Sequence, residues 1–266
     1  MPMLAVDDRR LSYEDYGSGP VVLLIHGSPG NAKAWARVGE RLAGRHRVIA
    51  LDLPGYGETT SQRPGEEPEV GYASELVEAL IRHVGPPAVL AGHSYGGVIA
   101  LDSALRGKVP VGALVLFEPV AMKILATVGE SEAYATAKAV FDDYIARFER
   151  GEDRAVQKMI DFWFGDGAFA KMPEPLTGFL IKETAANIKD VRAAFRVNYT
   201  VDAFRRLRMP VVAVIGDRSP EITQRIVSLI AELAPHGSVR KIAAANHALT
   251  TTHADAVAEV ISRVAK

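Results

Sequence analysis

A serine stands between glycines in AGHSYGG (91–97), after the apolar run PPAVL and before the helix-like VIALDSAL. A strand that turns at once into a helix leaves its corner residue at positive φ, with the side chain thrust outward. The residues two before and two after that corner crowd each other, so both favour glycine, and Gly92 and Gly96 supply it. Gly97 then lets the helix pack closely on the sheet. Ser94 is presented beside the positive end of a helix, where a nucleophilic hydroxyl is useful. The plainer alternative is a tight structural turn.

A serine hydroxyl is a weak nucleophile until a base lies within hydrogen-bond reach and a third group orients that base. Seven histidines are available. His26, in HGSPG, reads as a turn former, and His93 adjoins the nucleophile and points away from it. His46 and His83 end helix candidates and are expected to face solvent. His236 belongs to the turn APHGS, and His253 opens the final helix as a cap. His247, in AAANHALTTTH, follows the last strand, where a loop can carry it back to the sheet's carboxyl edge. His247 is therefore the expected base.

The elements that must position these groups alternate regularly. VVLLI (21–25), RVIAL (47–51), AVLAG (88–92), ALVLF (113–117), VVAVI (211–215) and VRKIA (239–243) are short runs rich in Val, Ile and Leu. Apolar on both faces, they read as buried strands of a parallel sheet. Between them lie AWARVGERLAG, YASELVEALIRHV and SPEITQRIVSLIAELA, which read as helices; in the last, Ser219 is the expected cap and Pro220 the first helical residue. The fold class that follows is α/β, a doubly wound, mostly parallel sheet. LAVDDRRLSYEDYG reads as an antiparallel pair on its edge.

The alternation lapses between Phe117 and Val211. Residues 120–206 show helical spacing and many aromatics, interrupted at GDGAF and MPEP. They read as a helical lid inserted between two core strands, the core being 1–119 and 207–266. Open α/β sheets bind ligands at the carboxyl ends of their strands, beneath such a lid. Phe162 and Trp163 are its candidate substrate contacts, although most lid aromatics serve to hold a lid together.

With 266 residues, 48% hydrophobic and 24% charged, the chain can build a sizeable core. Its net charge of −1 and lack of a basic cluster give no argument for nucleic acid. It has no cysteine, hence neither disulfides nor thiolate chemistry. Acidic residues in MPMLAVDDRR argue against a signal peptide, and no apolar run approaches the ~20 residues needed to span a bilayer. The expectation is a soluble cytoplasmic protein with no membrane partner.

With HGSPG (26–30), DLPGYGET (52–59), GHSYGG (92–97) and NHALTTTHADAV (246–257) in this order, the chain resembles the α/β-hydrolase superfamily nearly end to end. The resemblance implies an oxyanion hole built from the backbone N–H groups of Ser28 and Tyr95, able to lower a barrier by a few kcal/mol. Asp52 and Gly55 read as structural.

The superfamily commonly places its acid after the strand written here VVAVIG, as G-x-x-D. This chain has Gly216-Asp217-Arg218-Ser219 instead, with serine at the acid's position and Asp217 two residues early. Other members place the acid one strand earlier, where Glu118 follows ALVLF. A carboxylate at the end of so apolar a strand needs a partner, and a histidine that becomes positive during turnover is one. Glu118 is the preferred acid and Asp217 the alternative; pairing of Glu118 with Arg218 or a loop cap is the structural reading.

The expected function is hydrolysis of a small, apolar carboxylic ester through Ser94, His247 and an acid, with an acyl-enzyme intermediate. No cofactor or metal is implied. Serine at the elbow argues against epoxide hydrolase and dehalogenase chemistry, for which relatives use aspartate. Lyase, cofactor-free peroxidase and carbon–carbon cleavage chemistry, or a non-catalytic small-molecule receptor, remain the alternatives on this fold.

Overall fold

The computed structural model describes residues 1–59 and 69–265. Among the described residues, eight strands form one sheet: β1 (Met3–Val6), β2 (Arg9–Gly17), β3 (Val21–Ile25), β4 (Arg47–Leu51), β5 (Val89–His93), β6 (Ala113–Phe117), β7 (Val211–Gly216) and β8 (Gly237–Ile242). Their order is β1-β2-β4-β3-β5-β6-β7-β8. β1 pairs antiparallel with β2, and β2 antiparallel with β4; every other neighbouring pair is parallel.

The helices are α1 (Ala36–Leu42), α2 (Val70–Val84), α3 (Tyr95–Arg106), α4 (Lys123–Thr127), α5 (Ser131–Glu149), α6 (Gln157–Phe164), α7 (Glu174–Lys182), α8 (Thr184–Arg196), α9 (Val201–Arg205), α10 (Glu221–Leu233), α11 (Leu249–Thr252) and α12 (Ala254–Val264). Because successive strand residues face opposite sides, the apolar runs feed two cores. Leu23, Ile25, Leu90, Leu114 and Leu116 pack with α2, α3 and α10, whereas Val22, Leu24, Ala91, Val115 and Phe117 pack with α1 and α12. A sheet covered on both faces explains why its central strands lack polar alternation.

β8 departs from that pattern. Val239, Arg240 and Lys241 are exposed, because β8 is the sheet's last strand and has one neighbour only among the described residues. The ionic residues of VRKIA, which the run of apolar letters around them obscured, mark that edge.

Between β6 and β7, which are adjacent in the sheet, the chain runs through α4 to α9 with no strand among the described residues. Gly165 ends α6 at φ 94°, and Pro173 precedes α7 as its N-cap residue, matching the breaks at GDGAF and MPEP. Buried Phe141, Tyr144, Trp163 and Phe169 join this insertion to the core on the α2, α3 and α10 side of the sheet. Among the described residues no helix is long and apolar enough to cross a membrane.

Candidate active site

Ser94 sits between β5 and α3 with φ 54° and ψ −119°, a conformation that non-glycine residues rarely adopt. The glycines around it make the bend sterically possible. A Cβ on Gly92 would lie 2.2 Å from the carbonyl oxygen of Gly96, and one on Gly96 would lie 2.3 Å from that of His26. A Cβ on Gly97 would meet Pro119, just past β6, at 2.9 Å.

The hydroxyl of Ser94 lies 3.0 Å from Nε2 of His247, and Nδ1 of His247 lies 2.8 Å from Oε2 of Glu118. All three residues are buried. Nδ1–H donating to the carboxylate leaves Nε2 as the acceptor facing the serine hydroxyl, the tautomer a general base requires. Glu118 itself holds φ 46°, so it and Ser94 both occupy strained backbone positions at strand ends.

Glu118 is fully buried, and burial alone would raise its pKa. The bond from His247 and the attraction of that ring oppose burial, helped by the Ser219 hydroxyl at 2.6 Å and the Gly216 N–H at 2.7 Å. The balance holds the carboxyl below its ordinary range, as a negative partner for imidazolium. Asp217, the other candidate acid, is exposed and makes no contact with His247 among the described residues; its backbone N–H bonds the Ile242 carbonyl instead. Arg218 is also exposed and does not pair with Glu118. Pro220, not Ser219, is the N-cap residue of α10, because the serine hydroxyl is turned inward to Glu118.

The remaining histidines divide differently from expectation. His46 is buried, not solvent-facing: its ring nitrogens lie 3.3 and 3.4 Å from the carbonyls of Leu42 and Ala265. His253 occupies the N-cap position of α12, but its ring bonds Thr252 and does not cap. His26 is buried, its Nδ1 on the Gly27 carbonyl and its Nε2 accepting the Leu53 N–H, so it ties the 26–30 loop to the 52–59 loop. In the latter loop Asp52 accepts the N–H groups of Ala32 and Glu58, and a Cβ on Gly57 would strike its carboxylate. His93 donates through Nε2 to the His247 carbonyl at 2.8 Å; burial, with the nearby His247 ring, pushes its pKa down to about 3.

Two cavities meet at Ser94. The inner one, about 30 Å³, is lined by Tyr95, Met122, Phe141, Asn187, Asp190 and Phe195 among others. The outer one, about 440 Å³, is lined by His247, Phe164, Met172, Leu176 and Leu180 among others. Ser28, Ser94, Met159 and Trp163 border both. Trp163 stacks on the His247 ring, with centroids 4.2 Å apart and planes 10° apart. Phe162 lines neither cavity; it packs edge-on against Trp163 and Phe141, which is the structural role aromatic neighbours commonly have.

Ser28 and Tyr95 both border the inner cavity beside Ser94, and the loop carrying Ser28 is pressed so close that a Cβ on Gly27 would lie 3.0 Å from the Cβ of Ser94. The side chain of Ser28 is held from the insertion. Its hydroxyl lies 2.5 Å from Oδ2 of Asp190 and 2.8 Å from Nδ2 of Asn187, and Tyr56 donates to the same Asp190 oxygen at 2.7 Å. Tyr144 in turn donates to Asn187 at 2.9 Å. Sequence reasoning missed this cluster, although Asn187 and Asp190 stand three apart on the face of α8 shared with Ile188 and Val191, where polar residues need partners.

The alpha/beta hydrolase family profile matches residues 22–260. The chain belongs to the alpha/beta hydrolase family. Among its curated relatives, protein phosphatase methylesterase 1 of Mus musculus is 38% identical over 103 residues, covering 37% of this chain and 27% of the relative. A haloalkane dehalogenase of Sphingobium indicum is 32% identical over 127 residues, covering 46% of this chain and 42% of the relative. This alpha/beta hydrolase thus aligns with less than half the length of either. An esterase from Exiguobacterium antarcticum superimposes with a TM-score of 0.74 at 20% identity, covering 99% of this chain and 98% of the other, which establishes the shared fold.

Proposed function

We propose that this alpha/beta hydrolase is a serine carboxylesterase acting on a small, apolar ester. The observation that carries the reading is the unbroken chain from the Ser94 hydroxyl through both nitrogens of His247 to Glu118. Ser94 attacks the ester carbonyl while His247 takes its proton; the imidazolium is held by Glu118. The N–H groups of Ser28 and Tyr95 receive the developing oxyanion. The tetrahedral intermediate collapses, the ester C–O bond breaks, and His247 returns the proton to the departing alkoxide. Water, deprotonated by the same imidazole, then attacks the acyl-enzyme and releases the acid and Ser94.

A serine at the elbow favours ester chemistry over that of the dehalogenase relative, and the methylesterase relative is consistent with it. The insertion over the site acts as a lid, with Trp163 as its contact to the catalytic ring. Reaction with a fluorophosphonate followed by peptide mass spectrometry tests the nucleophile. Stoichiometric labelling of Ser94, lost in His247→Ala, is the expected result; an unlabelled Ser94 refutes the enzyme and leaves a receptor.

A further inference from the structure

We infer that the two cavities divide the ester unequally: a short acyl group enters the inner cavity, and a long apolar alcohol occupies the outer one. The inference rests on the esterase reading above and deepens it. Its first support is the position of the proton. The departing alkoxide must take a proton from Nε2 of His247, so the alcohol lies in whichever cavity His247 borders. His247 borders the outer cavity and not the inner one. The acyl carbon is bonded to Ser94, which borders both cavities, so with the alcohol in the outer one the acyl chain takes the inner one.

Size sets the preference. At about 30 Å³ the inner cavity has room for roughly one or two methyl-sized groups. Val120, Met122, Phe141, Val191 and Phe195 supply much of its apolar lining. The outer cavity, about 440 Å³, falls in the range of sites that take whole small molecules. Phe164, Met172, Leu176 and Leu180 make its wall apolar, and Leu176 is 43% exposed where it reaches solvent, so the outer cavity suits an extended alkyl chain. Trp163, buried and stacked face-on on His247, borders both cavities.

Octyl acetate and methyl nonanoate are isomers of equal apolar content, differing only in which side of the ester carries the chain. Release of acid from each is followed by titration, alongside fluorophosphonate labelling of Ser94. The expected result is a kcat/KM for octyl acetate at least about tenfold above that for methyl nonanoate, since a single misplaced methylene costs about that much. Phe195→Ala, which widens the inner cavity, raises methyl nonanoate relative to octyl acetate. Leu176→Asp, at an exposed position the fold tolerates, lowers octyl acetate relative to methyl acetate. Equal or faster turnover of methyl nonanoate by the wild-type enzyme overturns the division, as does a labelled Ser94 with neither isomer hydrolysed. An unlabelled Ser94 instead removes the esterase reading beneath it.

Discussion

The hydroxyl of Ser219 donates a 2.6 Å hydrogen bond to Oε1 of Glu118, while Oε2 of the same carboxylate faces His247. The position after β7 where an acid was expected thus holds a donor to Glu118. Glu118 titrates below its ordinary range in the fold, so its bonds stabilise above the unfolded pKa and fade as pH falls through the lower folded value. Ser219→Ala removes one donor and brings the folded value closer to ordinary. The variant should lose about 1–3 kcal/mol at pH 7, with the deficit narrowing below about pH 4. Urea midpoints across that pH range check it; a deficit that does not depend on pH would mean the bond is not to a carboxylate that titrates.

Two carboxylates competed for one role, and their positions predict opposite outcomes. Glu118→Gln keeps the shape but offers an amide to Nδ1 of His247, which favours the wrong tautomer; kcat should fall by about 10³–10⁴. Asp217→Asn, at an exposed position away from the ring, should leave kcat within about twofold. Steady-state kinetics on nitrophenyl acetate decide between them, and a large loss in Asp217→Asn would reassign the acid.

The parts of the site that lie along one stretch of chain were readable from its letters. The bend at Ser94 follows from Gly92 and Gly96, and the sheet from its apolar runs, because both are dictated by local sterics and period. Contacts made across the fold were not. That Ser219 serves Glu118 needs β6 and β7 to be neighbours, and its letters alone read as a helix cap. The burial of His46 depends on the carbonyl of Ala265, a partner far along the chain. The stack of Trp163 on His247 and the bonds of Asp190 to Ser28 and Tyr56 join the insertion to loops it never adjoins in sequence.

Burial gives His93 a pKa of about 3, well below the ordinary 6.5. The unfolded chain therefore binds a proton here that the folded one does not, between those two values. Stability must rise with pH across that interval, by up to about 1.4 kcal/mol per unit from this residue. His93→Gln keeps a donor for the His247 carbonyl but cannot titrate. Thermal midpoints of the variant should fall less steeply than wild type between pH 6 and pH 4. Parallel slopes would show that His93 is protonated in the folded protein.

Asp190 reaches from α8 to the hydroxyl of Ser28, the residue whose N–H is assigned to the oxyanion. The same carboxylate oxygen takes the Tyr56 hydroxyl, and Asn187 donates to Ser28 from one turn earlier. Four groups so arranged fix the loop at Ser28 only while the helical insertion is seated. Asp190 is then a positioning residue: its removal should disturb where the oxyanion donor points more than how substrate binds. Asp190→Asn should lower kcat by about tenfold with little change in KM, less than the about 10²–10³ that losing such a donor outright costs. Ser28→Ala breaks the same link from the other side while keeping the backbone N–H. The double variant should be no slower than the more damaged single variant, giving a coupling energy of about 0.5–3 kcal/mol. Additive losses would place Asp190 outside this linkage, and an equal rise in KM would assign it to substrate binding.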